Sequence, residues 1–273
     1  MSYQVKHISD FFDTWAPFST QAEYDNSGQL VGSQKLNITG ILTCLDVTED
    51  VVHEAIRHGC NVIVAHHPVI FRKLSRIDPD TDQGSLLYKL IRHDIAVLAV
   101  HTNLDAARDG VSFVLADQLS LQDQEFLSWH DETESHGYGV VGNLANEMSA
   151  ADFLELVCKN LGTTAVRFSG GPDGSRVKRV AVCGGTGISL AAAASKKGAD
   201  AFVTADIKYH EYFDFPSLLK VDAGHYETEF PIAEHLKNRI LKAFPDLAVH
   251  SVTTRTNPMQ IHVSTDFKPS STT

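Results

Sequence analysis

Three short segments place histidine and carboxylate groups directly after apolar runs: VIVAHHPVIF at 62–71, AVHTNLDA at 99–106 and DAGHYETE at 222–229. An apolar run of this kind reads as a buried parallel strand, and its C-terminal end is where functional loops of α/β proteins gather. The segments supply His66, His67, His101, Asp105, His225 and Glu229. Four imidazoles and two carboxylates exceed the needs of one tetrahedral ion and suit a pair of ions with bridging groups or water. Mixed histidine and carboxylate ligation admits Fe, Mn, Zn, Ni or Co.

Neighbouring histidines on a strand point to opposite faces. At a strand end followed by Pro68, the chain turns and both rings of the His66–His67 pair can splay into one cavity. His225 and Glu229 share one helix face if a helix begins at 225, by their i, i+4 spacing. His101 reads as a neighbour of the ligands or a substrate contact. His210, in TADIKYHEYFDF, reads equally as a general acid or base near the ions and as a helix-face histidine capping a turn. GGTG at 184–187 is a tight turn at least as readily as a phosphate cradle. His53, His58, His93 and His130 read as surface histidines.

The elements that must position these groups alternate. Strands are expected within 36–47, at 61–67 and at 95–105, with helices at 48–59, 85–94, 110–119, 149–162 and 228–244. A helix in the first 17 residues has Ser9 as a candidate N-cap. The polar segment 124–148 reads as a turn and short extended pieces capping a sheet edge. Alternation predicts an α/β fold with a largely parallel sheet covered by helices. A shift of 139 residues lays CLDVTEDVVHEAIRHGCNVIVAHH over CGGTGISLAAAASKKGADAFVTAD, and a shift of 124 lays HTNLD over HYETE. The first half therefore reads as repeated, with lobe one at about 1–125, lobe two at about 126–250 and a C-terminal segment at 251–273.

The 273 residues carry a net charge of −11, which argues against direct nucleic-acid binding. Arg167, Arg176, Lys178 and Arg179 are the only candidates for a basic patch, and a solvated loop explains them better. No apolar stretch is long enough to span a bilayer, and the N-terminus is not a secretory signal. Four scattered cysteines without CxxC spacing read as free thiols in a reducing cytoplasm.

AHHPVIF, HTNLD, GGTG, TADIKYHE and DAGHYETE together resemble the NIF-three-like (YbgI-type) family, whose members are also described as GTP cyclohydrolase 1 type 2 homologues, over nearly the full length. The resemblance implies a three-layer α/β/α fold of two related lobes and a dinuclear metal centre held by His66, His67, Asp105, His225 and Glu229. It implies a homohexamer, a trimer of dimers with the metal sites facing an inner cavity. Some members of the family carry a domain inserted between the lobes; the stretch from about 125 to 180 leaves no room for one, so this chain resembles the short form. The site residues read as a metal-dependent hydrolase of a nucleotide or related small molecule, with His101 or His210 moving protons, and the family label implies GTP ring opening. A non-catalytic metal scaffold or metallochaperone and a regulatory protein-interaction module are the alternatives.

Overall fold

The computed structural model describes residues 2–129, 135–171 and 174–262, so His130 and the end of the C-terminal segment, 263–273, lie outside the described residues. The chain begins with α1 (Val5–Trp15) and an edge strand β1 (Gly28–Val31), then runs β2 (Ile41–Cys44), α2 (Glu49–Arg57), β3 (Val62–Ala65), α3 (Asp82–Arg92) and β4 (Ala96–Ala99). It continues through α4 (Thr102–Asp105) and α5 (Val111–Gln118) into a hairpin, β5 (Gln122–Trp129) and β6 (Gly137–Ser149). The rest is α6 (Ala150–Leu161), β7 (Arg167–Ser169), β8 (Arg176–Val182), α7 (Ala191–Lys196), β9 (Ala201–Thr204), β10 (Leu219–Asp222), α8 (His225–Glu229), α9 (Ile232–Ala243) and β11 (Val249–Ser251).

Every residue of β2, β3 and β4 is buried, as expected of parallel strands covered on both faces. They form the centre of a five-stranded sheet in the order β1-β4-β3-β2-β11, with only β1 antiparallel. The second sheet has the order β5-β6-β8-β9-β10-β7, with a parallel trio β8, β9 and β10 flanked by antiparallel strands. The unit β1-β4-β3-β2 thus recurs as β7-β10-β9-β8. The register recurs as well: Ile41 pairs with Val62 and Val180 with Ala201, both displaced by 139. The last strand of each unit is displaced by 123, since Ala96 faces Val62 and Leu219 faces Ala201. One extra residue before His225 restores the shift of 124 in the motifs.

Helices α1 and α9 cover one face of the first sheet through Val5, Ile8, Phe12, Ile232, Leu236 and Ile240. Helices α2 and α3 cover the other through Val51, Val52, Ala55, Leu87 and Leu90. In the second lobe α6 packs Phe153 and Val157 on one face of the sheet, and α7 packs Ala191 and Ala194 on the other. The sheet-and-helix layers match the expected α/β/α class. Helix α5 is buried from Val111 to Ala116, as a helix apolar all round must be. Its Val111 and Val114 join the first core, and Phe113, Leu115 and Ala116 join the second.

Several local expectations hold. Thr48 and Ser149 cap α2 and α6 by accepting from Val51 N and Asp152 N, and Gly162 ends α6 at φ +67°. Others change. Helix α1 starts at Val5 rather than after Ser9, because Gln4 caps it and donates its backbone N–H to His7 Nδ1 at 2.9 Å. The expected strand at 36–47 shortens to Ile41–Cys44, because Asn61 ties the preceding turn by accepting from Thr39 N and donating to Asn37 O. Residues 124–129 and 137–148 of segment 124–148 belong to two full strands of the second sheet. The lobes are not consecutive halves: α9 and β11 return to the first lobe, where β11 adds beside β2. Arg167, Arg176 and Arg179 pair with Asp222, Glu147 and Glu125, so they form no open basic patch. No helix among the described residues is long and apolar enough to cross a membrane.

Candidate metal centre

The strand ends β3 and β4 and the helices α4 and α8 converge on one cleft. His66 and His67 extend the ladder past β3, donating their backbone N–H groups to Cys44 O and Leu45 O. His101 is the N-cap of α4, and Asp105 closes that single turn. His225 opens α8 and Glu229 closes it, so the i, i+4 pair meets on one face with His225 Nε2 2.9 Å from Glu229 Oε2. The chain then passes Pro231, the N-cap of α9. The DAGH turn holds Gly224 at φ +91°, a conformation only glycine adopts without strain.

The three motifs meet in space. Ring centroids of His66 and His67 lie 5.0 Å apart, and those of His67 and His225 lie 5.4 Å apart, although 158 residues separate the latter pair in sequence. One ligand atom from each of His66, His67 and His101 lies within 4.8 Å of the others, and the same holds for His67, His225 and Glu229. The two groups share His67. His101 therefore sits among the ring nitrogens rather than behind them. Asp105 belongs to neither group, but its Oδ1 stands 3.7 Å from His66 Nε2.

Each histidine is fixed through Nδ1. His66 Nδ1 donates to Val100 O at 2.8 Å, and His67, His101 and His225 each hold a carboxylate at 2.7 Å: Asp46, Asp25 and Asp206. This leaves Nε2 of every ring for the cleft. A histidine that donates its far N–H to a carboxylate or carbonyl is the usual arrangement of a metal ligand. The carboxylates are anchored in turn. Asp46 accepts from Thr256 Oγ1, Asp25 from Thr102 and Ser27, and Asp206 from Thr186 Oγ1.

His66 decides what the cleft wants. It is fully buried, and burial pushes its imidazolium down to about 3, so the ring is neutral. Its Nδ1 carries the proton given to Val100 O, so Nε2 presents a lone pair. That atom has no hydrogen-bond partner and faces Asp105 Oδ1 at 3.7 Å and Glu229 Oε1 at 3.9 Å. His66 Nε2 and the two carboxyl oxygens converge without a hydrogen bond between them, an arrangement that a cation would satisfy. Burial and the charges of Glu229 and Asp25 hold the Asp105 carboxyl well above its usual range. For His67 and His225, burial opposes protonation, but hydrogen bonds to Asp46, Asp206 and Glu229 raise them to about 10 and about 9. Burial disfavours the Glu229 carboxylate too, yet the hydrogen bonds from His225 and His67 hold it far below its usual range. Without a cation the cleft is a tight ion-pair cluster. The donor set fits divalent metal.

Gly185 makes room for Glu229. A β-carbon there would lie 2.2 Å from Glu229 Oε1, and the residue already sits at φ +59°. The GGTG turn thus backs the carboxylate. His210 lies exposed on a 3-10 turn, Tyr209–Phe213, edge-on to Tyr209, outside both histidine groups. His53, His58 and His93 are exposed, as expected. All four cysteines are free. The anchoring carboxylates Asp25, Asp46 and Asp206 escaped the sequence reading. Asp46 and Asp206 also stand just past strand ends, β2 and β9, and that position was the available signal.

Comparison with known proteins agrees with this geometry. Residues 3–258 match the model of the Duf34/NIF3 (NGG1p interacting factor 3) family. A Clostridium acetobutylicum protein named "GTP cyclohydrolase 1 type 2 homolog" is 31% identical over 254 residues, covering 92% of this chain and 94% of its own. One of the same name from Clostridium perfringens is 32% identical over 243 residues, covering 87% and 92%. The crystal structure of a hypothetical protein from Staphylococcus aureus superposes with a TM-score of 0.89 at 30% identity, covering 96% of this chain and 100% of that one. The chain belongs to the Duf34/NIF3 family.

Proposed function

We propose that this protein holds two divalent metal ions between its lobes and acts as a hydrolase on a nucleotide or related small molecule. One observation carries the reading: the buried Nε2 of His66 has no hydrogen-bond partner and faces an oxygen of each of two carboxyl groups. Glu229 supports the count of two, since Oε1 faces His66 while Oε2 meets His67 and His225 at 3.0 and 2.9 Å. His66, His67, His101, Asp105, His225 and Glu229 are the residues that would hold the ions. When bound, such a pair acts as a Lewis acid toward a phosphoryl or carbonyl oxygen or a ring carbon and lowers the pKa of water.

The protein's own residues prepare that chemistry. Val100 O, Asp46, Asp25 and Asp206 lock the four rings with Nε2 inward, so the donors need no reorganisation as charge develops. In this reading His210, exposed on its 3-10 turn, would exchange protons with solvent. The relatives named as GTP cyclohydrolase homologues favour a nucleotide substrate.

The test is a screen of the metal-loaded protein against GTP, other nucleotides and phosphoesters. Turnover that disappears in Glu229→Ala supports the reading, with His210→Gln slowing turnover while metal content stays unchanged. A metal-replete protein that leaves every such compound intact overturns the hydrolase reading and favours a metal-holding scaffold.

A further inference from the structure

Two large aromatic rings stand in the open beside the centre. Tyr24 is 70% exposed and Phe71 is 48% exposed. Singly exposed aromatics need no explanation; these two converge. Their ring centroids are 6.4 Å apart with planes at 71°, and the Phe71 ring meets His101 edge-on at 6.1 Å. They form a corner whose inner end is a histidine of the metal centre.

The backbones that carry them are pinned. Asp25, next to Tyr24, accepts from His101 Nδ1, Thr102 N, Thr102 Oγ1 and Ser27 Oγ. Asn26 Nδ2 donates to Ile70 O at 2.5 Å, which ties the loop before β1 to the loop bearing Phe71. Partial burial, then the nearby charges of Asp105 and Asp25, raise the Tyr24 phenol above its usual value, so this residue lies within the field of the centre. A fixed frame that ends in two outward rings is preorganised for a flat ligand, because little conformational freedom remains to be lost on binding.

We propose that Tyr24 and Phe71 are the ring subsite of this centre, receiving a purine-sized heteroaromatic base while the ligand's polar end reaches the histidines and carboxylates. The subsite rests on the hydrolase reading only in placing its ligand at the same metals. Neither ring ligates an ion. They determine which molecule is presented, since a stacking platform is worth roughly five- to a hundredfold in affinity per base.

The test is calorimetric titration of the full-length, metal-loaded protein with guanosine monophosphate and with ribose 5-phosphate, which carries an anomeric hydroxyl in place of the base. Guanosine monophosphate binds about tenfold or more tightly than ribose 5-phosphate. Tyr24→Ala, Phe71→Ala and Phe71→Leu each erase most of that advantage, leave the ribose 5-phosphate affinity and the metal content unchanged, and Phe71→Tyr keeps it. Equal affinity for the two probes overturns the subsite, as does no binding of guanosine monophosphate. So does a change in particle mass in the alanine variants, which would make the rings a contact between chains. The hydrolase reading is judged separately, by turnover in the substrate screen.

Discussion

Asp46 shows what a residue behind the ligands contributes. It holds His67 Nδ1 at 2.7 Å and is itself held by Thr256 Oγ1 at 2.6 Å. Asp46→Asn keeps the shape but removes the charge that orients and polarises the ring. Metal affinity is expected to fall by about 10- to 100-fold in competition with a chelator, with the circular dichroism spectrum unchanged. Glu54 does a purely structural task one helix away. It is buried in α2 and accepts from the backbone N and hydroxyl of both Thr253 and Thr254. Burial disfavours its charge, but those hydrogen bonds prevail and lower the carboxyl from 4.5 to about 2. Because the folded value lies below the unfolded one, this stabilisation is present above about pH 4.5 and is lost as pH falls toward 2. Glu54→Ala leaves these donors stranded and is expected to cost about 2 to 4 kcal/mol in urea unfolding at pH 7, with a smaller loss at pH 3. The histidines and acids of the cleft were legible because three motifs each followed an apolar strand. Asp25, Asp46 and Asp206 were not, because a lone aspartate carries no periodicity and acquires meaning only when a ring nitrogen comes within hydrogen-bond reach.

At the scale of elements, the same strand register serves twice. The pairs Thr43–Val64 and Val182–Val203 differ by one constant shift of 139, and the turn after each last strand delivers a histidine and a carboxylate four residues apart. In the second unit the GGTG turn backs Glu229. Gly185→Ala is expected to displace that carboxylate, both by overlap with Oε1 and by strain at positive φ, and to abolish tight metal binding while the two sheets persist. Metal titration followed by circular dichroism checks both halves of the claim. Continuous apolar runs such as VIVA and AVLA revealed the parallel strands. The hairpin β5–β6 was harder to read. Its first strand, QDQEFLSW, buries only Phe126 and Leu127, and an antiparallel strand with one solvated face gives a weaker signal. Strand β11 is three residues long, and nothing in VHS announces that it will travel back to β2.

For the whole molecule, the return of α9 and β11 makes the lobes interdependent, and α5 contributes to both cores. The centre lies where the two units face each other, so it exists only in the complete fold. The family resemblance adds a homohexamer, a proposal for which light scattering coupled to gel filtration is expected to return six chain masses; a single-chain mass would refute it. The central claim, that duplicated strand ends gather one pair of cations, is tested most directly by counting metal. Protein purified without chelator, or reloaded and desalted, should carry two divalent ions per chain by elemental analysis, and Glu229→Ala should carry one or none. A wild-type chain that holds no metal after exposure to Fe, Mn, Zn, Ni and Co would contradict the account.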